Sequence, residues 1–274
     1  MINNNYSIKE NSKSFFFASL FLKKKQFNDC CTLYKFCRYV DDIADKNYKN
    51  KAKLLKDIEI NIKTVKKNAE FNILYLIKNE TLKAKNLLEL VKGVKMDLEK
   101  LSFNGEKELI NYSYLVAGSV GVMMSNILGC KDDYAYNYAI DLGIAMQLTN
   151  IARDILEDAK MGRVYIPKTW SDIKCIDIKK PSEKTKSELK IATKKLINLS
   201  EEYYKSGMKG LAFLPLRSRF SILIALKIYR QIGIKILNNN FSNILYREKV
   251  TFKEKVLCLV KCIAIFLLDP QIHI

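Results

Sequence analysis

Glycine and proline are scarce in this chain, and their scarcity restricts the fold more than any other feature. Only 10 glycines and 4 prolines are spread over 274 residues. Because tight turns and linkers depend on these residues, the chain has few places to reverse direction or to divide into units. Between Phe15 and Leu268, apolar residues recur at i, i+3 and i+4, which is the helical period. We therefore predict an all-α fold, a helical bundle formed by a single domain over residues 1–274.

The periodic segments set the predicted helix boundaries. The first periodic segment, residues 15–44, is interpreted as one or two helices, with a break near residues 26–29 and Asn28 or Asp29 as an N-cap. The apolar run 256–268 is too short to cross a bilayer, so we expect a packed core helix, with contact to a membrane surface as the alternative. Residues 163–181 are predicted to form a loop. The predicted helices span residues 15–44, 51–67, 82–101, 106–128, 134–158, 183–208, 216–237 and 252–268.

The chain contains a single histidine, His273, which lies one residue from the end of the sequence. This argues against Ser-His-Asp and Cys-His catalysis, Glu-x-x-His di-iron sites and zinc sites with histidine ligands. Chemistry must then depend on carboxylates, amides, tyrosines, lysines and arginines. The seven cysteines include no C-x-x-C pair, so we interpret them as free thiols in a reducing compartment.

The chain is strongly basic, with 47 Lys and Arg against 29 Asp and Glu and a formal net charge of +18. Such an excess suits nucleic acid, an anionic membrane surface or anionic substrates. Only seven of the basic residues are arginines, and the lysines are scattered along the chain as on a solvated surface. No basic helix or zinc knuckle is visible, so we expect no nucleic-acid partner. Residues 1–14 do not resemble a signal peptide, so we expect a cytoplasmic protein that contacts a membrane at most peripherally, at its inner face.

Two acidic clusters carry the pattern of a functional site. In the first, Asp41 and Asp45 are i, i+4 and share a helix face with Tyr34 and Arg38, whereas Asp42 points about 100° away. In the second, Asp154 and Asp158 are again i, i+4, and the same face carries Gln147 and Asn150 between apolar flanks. Each cluster alone is compatible with a solvated helix face. Two polar stripes on apolar helices, however, need partners, because unpaired buried carboxylates are costly.

Paired carboxylates on facing helices suit Mg²⁺, which prefers oxygen ligands and completes its coordination with phosphate oxygens. Three of the seven arginines, Arg38, Arg153 and Arg163, belong to these clusters or follow them, and arginine binds phosphate in a fork geometry. The many apolar residues outside these polar clusters indicate a hydrophobic substrate. The residues therefore suggest ionisation of a prenyl diphosphate in a central apolar cavity of the bundle.

Four segments together resemble the squalene/phytoene synthase family, and within it bacterial phytoene synthases. The resemblance extends over residues 11–247, with the segments in the same order. The segments are YKFCRYVDDIAD (34–45), YSYLVAGSVGVMM (112–124), DLGIAMQLTNIARDILED (141–158) and GRVYIP (162–167).

The resemblance implies a role for each matching residue. Asn11-Ser12-Lys13-Ser14 corresponds to a diphosphate-contacting segment that usually reads His-Ser-Lys-Ser, so Asn11 is a departure that cannot be a cation. The match of Tyr229 is looser, and that of Arg247 is uncertain by one or two positions. The implied metal ligands are Asp41, Asp45, Asn150, Asp154 and Asp158; the implied catalytic residues are Asp41, Asp45, Asp154, Asp158 and Tyr112; and the implied substrate-binding residues are Asn11, Ser12, Lys13, Ser14, Tyr34, Arg38, Gln147, Arg153, Arg163, Tyr229 and Arg247.

Several of these residues also have purely structural interpretations. Tyr112 and Tyr229 occur at helical spacing and suit core aromatics with a satisfied hydroxyl. Gly118 and Gly121 suit close helix packing, or leave room for a prenyl chain. Gly162 before Arg163 is a common helix terminator, or part of a loop that closes over the site.

The resemblance implies head-to-head (1-1′) condensation of two geranylgeranyl diphosphates to phytoene through a cyclopropyl diphosphate, as in carotenoid biosynthesis. It implies Mg²⁺, with Mn²⁺ as a substitute, and no NADPH. A squalene or dehydrosqualene synthase acting on farnesyl diphosphate is the alternative. A catalytically inactive family member that serves as an assembly factor is a further alternative, against which the intact acidic residues count. The sequence leaves the oligomeric state open.

Overall fold

The computed structural model describes residues 8–64, 73–99, 101–244, 246–269 and 272, and within them it contains helices and no strand. Helix α9 lies at the centre and packs against α8, α12 and α13. The elements are α1 (Ile8–Asn11), α2 (Lys13–Ser19), α3 (Lys24–Asp45), α4 (Lys51–Thr64), α5 (Ile73–Lys78), α6 (Ala84–Met96), α7 (Glu106–Ser113), a π-helical turn (Tyr114–Gly118), α8 (Ser119–Leu128), α9 (Ala135–Arg153), α10 (Ile155–Lys160), α11 (Cys175–Lys179), α12 (Glu183–Lys209), a 3₁₀ turn (Gly210–Phe213), α13 (Leu216–Asn238), a second 3₁₀ turn (Ser242–Ile244) and α14 (Phe252–Leu268).

The all-α prediction is confirmed, and several boundaries agree with it. The predicted helix 252–268 matches α14, while α12 and α13 each extend one residue beyond their predicted ends. The predicted helix 51–67 is α4 as far as Thr64, and its last three residues lie outside the described part. Helix α6 is shorter than predicted, and the short helices α5 and α11 were not predicted.

The break in the first segment was predicted at the wrong place. The chain turns at residues 20–23, and residues 26–29 lie inside α3. Asn28 and Asp29 are therefore not N-caps. At the turn, the Phe21 and Leu22 amides donate to the Ala18 and Ser19 carbonyls, which directs both apolar side chains toward the core.

The prediction that residues 256–268 form a packed core helix is only partly right, because one face packs against the core and the other is exposed. Only Lys255, Cys258 and Cys262 of α14 are buried, whereas Leu257 and Val260 are more than half exposed. The hydrophobic pattern was recognised, but the direction of its apolar face depends on the neighbouring helices. No helix of the described residues is both long and apolar enough to cross a bilayer. All seven cysteines are free thiols, as predicted.

Close helix packing explains two glycines near the centre of the fold. A Cβ atom on Gly121 would lie 2.1 Å from the Ala139 carbonyl oxygen, and one on Gly143 would lie 2.3 Å from the Ala117 carbonyl oxygen. Any side chain at these positions would force α8 and α9 apart. Gly121 therefore serves close packing of α8 on α9, and Gly143 serves close packing of α9 on the π-helical turn.

Candidate active site

The first acidic cluster lies in the last turns of α3. Asp42 is buried and forms ion pairs with Arg38 at 2.6 Å and with Lys46 at 2.5 Å, each one helical turn away. Asp41 and Asp45 point elsewhere, as the helical period predicts. Arg38 was predicted to share their face, but its guanidinium contacts Asp42 instead, because i, i+4 side chains are neighbours. Its charge still acts on Asp41 and lowers the pKa of that carboxyl.

Asp41 lies in an environment that disfavours its charge. Burial and the nearby Asp45 carboxylate raise the pKa of Asp41 to about 7, and the Arg38 guanidinium offsets only part of this rise. Asp97, on another element, adds to the repulsion. The negative charge of Asp41 is therefore only partly compensated at this end of α3.

The second cluster lies where the central helix is interrupted, whereas a continuous helix over residues 134–158 was predicted. Asp154 has φ −106° and ψ 17°, so it separates α9 from α10. Adjacent side chains on a helix diverge by about 100°, but this break turns Arg153 back onto its neighbour. The Arg153 Nε donates to Asp154 Oδ1 at 2.8 Å, and the Arg247 Nε donates to the same oxygen at 2.7 Å.

The two carboxylates of this cluster have opposite electrostatic environments. Burial alone would raise the pKa of Asp154, but the hydrogen bonds and charges of Arg153 and Arg247 outweigh it, so the pKa of Asp154 is lowered. Burial and the Asp154 charge raise the pKa of Asp158 to about 8. One carboxylate is therefore fully compensated, and the other is not.

The two clusters face the same space. Arg163, in the loop after α10, is buried and donates from Nη1 to Asp45 Oδ1 at 2.6 Å. This contact connects residues 118 positions apart in sequence. The charges of Asp45 and Asp97 also raise the pKa of Asp158, which requires proximity across the site. Gly162 has φ +85°, a left-handed conformation that ends α10 and directs the chain toward α3.

Asp97 and Tyr165 extend the site and were not predicted. Asp97, at the end of α6, accepts hydrogen bonds from the hydroxyls of Tyr112 at 2.9 Å and Tyr165 at 2.8 Å. The two rings are stacked, with centroids 5.2 Å apart. Burial and Asp97 raise the pKa of both tyrosines, so both are neutral donors. Tyr165 lies within the recognised segment 162–167, which was the available signal, whereas Asp97 has no acidic partner at helical spacing.

The model of the squalene/phytoene synthase family matches residues 8–254 of this chain, which include both acidic clusters. The chain belongs to this family. The match covers α3, α6, α9 and α10, the helices that contribute the acidic groups described above.

Individual relatives agree with this assignment. A 15-cis-phytoene synthase from Paracoccus sp. (strain N81106 / MBIC 01143) is 32% identical over 89% of this chain and 84% of its own length. A 15-cis-phytoene synthase from Enterobacter agglomerans is 31% identical over 91% of this chain and 90% of its own length. The crystal structure of a dehydrosqualene synthase in complex with ligand has a TM-score of 0.84 and 26% identity, covering 94% of this chain and 93% of that chain. The bundle is therefore the isoprenoid-synthase fold.

Tyr34 and Tyr229 lie close to each other, with Tyr34 near Asp41 and Tyr229 near Asp154. Tyr229 is buried, stacks on Phe15 at 4.8 Å and hydrogen-bonds with Arg153. Burial raises the pKa of Tyr34 to about 12. The charge of Arg38 lowers this pKa, whereas Tyr229 and Asp41 raise it. Although the match of Tyr229 to the family pattern was loose, the structure brings it next to Asp154.

The segment 11–14 immediately precedes Phe15, whose ring stacks on Tyr229. Asn11 ends α1, but its side chain lies outside the described part of the structure. Ser12 is the N-cap residue of α2 and forms no side-chain cap hydrogen bond. Lys13 is exposed, and its charge lowers the pKa of Lys255. The stacking of Phe15 on Tyr229 is what joins this segment to the site, and Ser14 immediately precedes that ring.

Members of the family use divalent metal ions to bind prenyl diphosphates, and the residues present here fit such an ion. The Asn150 side chain donates to Gln147 Oε1 at 3.3 Å, while its own Oδ1 is buried without a hydrogen-bond partner. An orphaned amide oxygen beside partly compensated carboxylates is a donor set suited to a hard cation. Within the described residues, no three acidic side chains already converge into a complete cation site. Substrate phosphate oxygens would then supply the remaining ligands.

Proposed function

We propose that this chain is a prenyltransferase that joins two prenyl diphosphates head to head. The observation that carries the proposal is the meeting of the two acidic clusters, through Arg163 and Asp45, in one site that also contains Arg153 and Arg247. The curated relatives described above support two geranylgeranyl diphosphates as substrates and phytoene as product. The single domain over residues 1–274 and the central apolar cavity for the prenyl chains are parts of the same proposal.

Asp41, Asp45, Asn150, Asp154 and Asp158 would hold Mg²⁺, or Mn²⁺ in its place. When bound, the metal neutralises the diphosphate charge and assists departure of that group. The fit rests on Asp41 and Asp158, whose raised pKa values reflect negative charge that Arg38 and Arg163 compensate only in part. Binding of cations would replace this repulsion by attraction.

The arginines bind and stabilise the leaving diphosphate. Arg163 and Arg153 are largely buried and already oriented by Asp45 and Asp154, so little reorganisation is required when the diphosphate charge develops. Arg247 reaches the site from the segment after α13, and its side chain is about half exposed. We assign Arg38 and Gln147 to the rim of the same diphosphate pocket, together with Ser12, Lys13 and Ser14.

Departure of the first diphosphate leaves an allylic cation. Its C1 is attacked by the C2=C3 bond of the second substrate, and loss of a proton gives a cyclopropyl diphosphate. Loss of the second diphosphate from this intermediate, rearrangement and loss of a second proton then give phytoene. Tyr112 and Tyr165, held by Asp97, present neutral oxygens and aromatic faces that stabilise cations and exclude water. We assign proton uptake to the released diphosphate, because both tyrosine hydroxyls already donate to Asp97.

A C15 substrate is the second candidate, favoured by the likeness to the dehydrosqualene synthase structure. Chain length would be decided by the depth of the apolar cavity. An inactive assembly factor is a weaker candidate, since every acidic residue of both clusters is present. We propose a cytoplasmic location with peripheral contact at the inner face of the membrane, no NADPH requirement and no nucleic-acid partner.

The deciding experiment is incubation of the purified chain with Mg²⁺ and either geranylgeranyl or farnesyl diphosphate, with and without NADPH, followed by mass analysis of the hydrocarbons. We expect phytoene from the C20 substrate in both conditions. Hydrocarbon from the C15 substrate alone would select the second candidate. Absence of product from either substrate, with Mg²⁺ or Mn²⁺, would contradict enzymatic activity.

A further inference from the structure

Helix α14 carries many of its apolar side chains on the outside of the molecule. Its inward side consists of Lys255, Cys258, Leu259, Cys262, Ile265 and Phe266. Successive helix positions differ by about 100°, so the exposed apolar residues cover about half of the circumference. A surface helix normally turns its apolar side chains to the core and its polar side chains to solvent. A contiguous exposed apolar patch therefore marks an interaction surface. We define the α14 surface by these residues: Phe252, Val256, Leu257, Val260, Ile263, Leu267 and Leu268.

Aromatic contacts place two neighbouring helices alongside this surface. Phe17 of α2 packs against Phe252 with centroids 6.2 Å apart. At the other end of α14, Phe220 of α13 contacts both Phe21, at 5.2 Å, and Phe266, at 5.1 Å. The end of α2 and the start of α13 therefore lie close to the last turn of α14.

These neighbours add further exposed apolar groups at that end. Leu20, at the end of α2, is 58% exposed, and Leu216, at the start of α13, is 61% exposed. In the last turn of α14, Leu267 and Leu268 are 75% and 79% exposed. The apolar surface thus extends beyond one helix.

The charged side chains on and around the α14 surface are mostly basic, and the acidic Asp269, which follows Leu268, is half-buried. Lys253 and Lys261 are exposed on α14 itself. The single acidic residue of α14, Glu254, is engaged by the Thr251 amide and by Lys235. Arg217 and the run Lys23–Lys25, next to Leu216 and Leu20, are exposed as well. Long basic side chains can extend from an apolar surface to reach phosphate groups.

We propose that the α14 surface binds the interfacial region of an anionic lipid bilayer. The apolar side chains would enter the acyl boundary, and Lys253 and Lys261 would contact the headgroups. A second copy of the chain fits less well, because two-fold pairing would bring equally basic rims together in a molecule of net charge +18. The proposal concerns binding alone, so its test requires no substrate and no catalytic activity.

The test is flotation of the full chain with vesicles of phosphatidylcholine, alone or mixed with phosphatidylglycerol. We expect binding to the mixed vesicles, and about a tenfold or greater loss of bound protein for the triple variant Leu257→Gln, Val260→Gln and Leu267→Gln. The matched control is Tyr75→Gln, Ile176→Gln and Ile191→Gln, three similarly exposed apolar residues on other helices. This control should bind like the wild type, and thermal melts by circular dichroism verify folding of both.

A second pair of variants tests the charge. Lys253→Gln with Lys261→Gln should weaken binding to the mixed vesicles by about fivefold for each lysine. The control pair is Lys194→Gln with Lys205→Gln, two exposed lysines of α12. If the triple variant does not fold, Leu267→Trp replaces it. Its emission should shift to shorter wavelength on addition of mixed vesicles, while that of Ile191→Trp should not.

Three results would overturn the proposal. The first would be that the wild type does not float with phosphatidylglycerol vesicles at low salt. The second would be that the triple variant floats as well as the wild type. In the third, light scattering finds a wild-type dimer that the triple variant abolishes, without vesicle binding, which would assign the α14 surface to self-association.

Discussion

The two acidic clusters use the same i, i+4 spacing but compensate their charges differently. In the α3 cluster, Asp45 is paired with Arg163 from a distant loop, and Asp41 is only partly compensated. In the cluster at the end of α9, Asp154 is held by two arginines, and Asp158 is only partly compensated. Each cluster therefore has one oriented carboxylate and one carboxylate whose charge is disfavoured. The comparison indicates that positioning and cation attraction are divided between different residues.

The largest effect is expected at Asp41. Asp41→Asn removes a charge that cations require, so turnover should fall by about 10³-fold or more, while the helical circular dichroism signal is unchanged. Asp42→Asn, at the adjacent position, should instead lower the free energy of unfolding by about 1 kcal/mol, because Arg38 and Lys46 lose their ion-pair partner but are themselves well exposed. Steady-state kinetics and chemical denaturation of both variants test this difference. Near-normal turnover of Asp41→Asn would remove the basis for the site.

The connection between the clusters should have the next largest effect. Arg163→Ala removes the partner of Asp45 and a diphosphate ligand, so kcat/KM should fall by about 10²-fold. Arg163→Lys keeps the charge but not the fork geometry, and should recover only part of this loss. If Arg163→Ala and Arg163→Lys both match the wild type in kcat/KM, Arg163 has no role in substrate binding.

The partly compensated carboxylates should make the stability of the metal-free protein depend on pH. Their folded-state pKa values, about 7 for Asp41 and about 8 for Asp158, lie above the ordinary value of 3.8. The folded state therefore binds these protons more tightly, and its stability falls as pH rises from about 4 to about 8, by up to roughly 4–6 kcal/mol per carboxyl.

Denaturation at several pH values in EDTA measures this slope. In the double variant Asp41→Asn and Asp158→Asn the slope should become shallower, and Mg²⁺ should oppose the loss at the higher pH values. An equal slope in the wild type and the double variant would contradict the electrostatic environments described here.

The smallest effect is expected at Arg247. Asp154 keeps Arg153 when Arg247 is replaced, and Arg247 is about half exposed. Arg247→Gln should therefore lower kcat/KM by about tenfold, less than Arg163→Ala. Kinetics of the two variants under the same conditions decide the order. An Arg247→Gln loss larger than that of Arg163→Ala would reverse the proposed division between the clusters.

Periodicity and composition were sufficient for the parts of the molecule that depend on local structure. The helical class, the boundaries of α14 and the common face of Asp41 and Asp45 follow from apolar spacing and the scarcity of turn residues. That the two acidic clusters, with arginine nearby, form one diphosphate site stays a prediction from the same spacing.

Only the tertiary structure decided the features that depend on distant neighbours. The periodicity predicted a continuous helix through Asp154, where the structure has a break. The pairing of Arg163 with Asp45 and the hydrogen bonds from Tyr112 and Tyr165 to Asp97 join residues far apart in sequence. The outward apolar face of α14 was likewise fixed by packing on α13. A helical period specifies which side chains share a face, but the environment of that face, and hence its charge compensation or burial, is set by what packs against it.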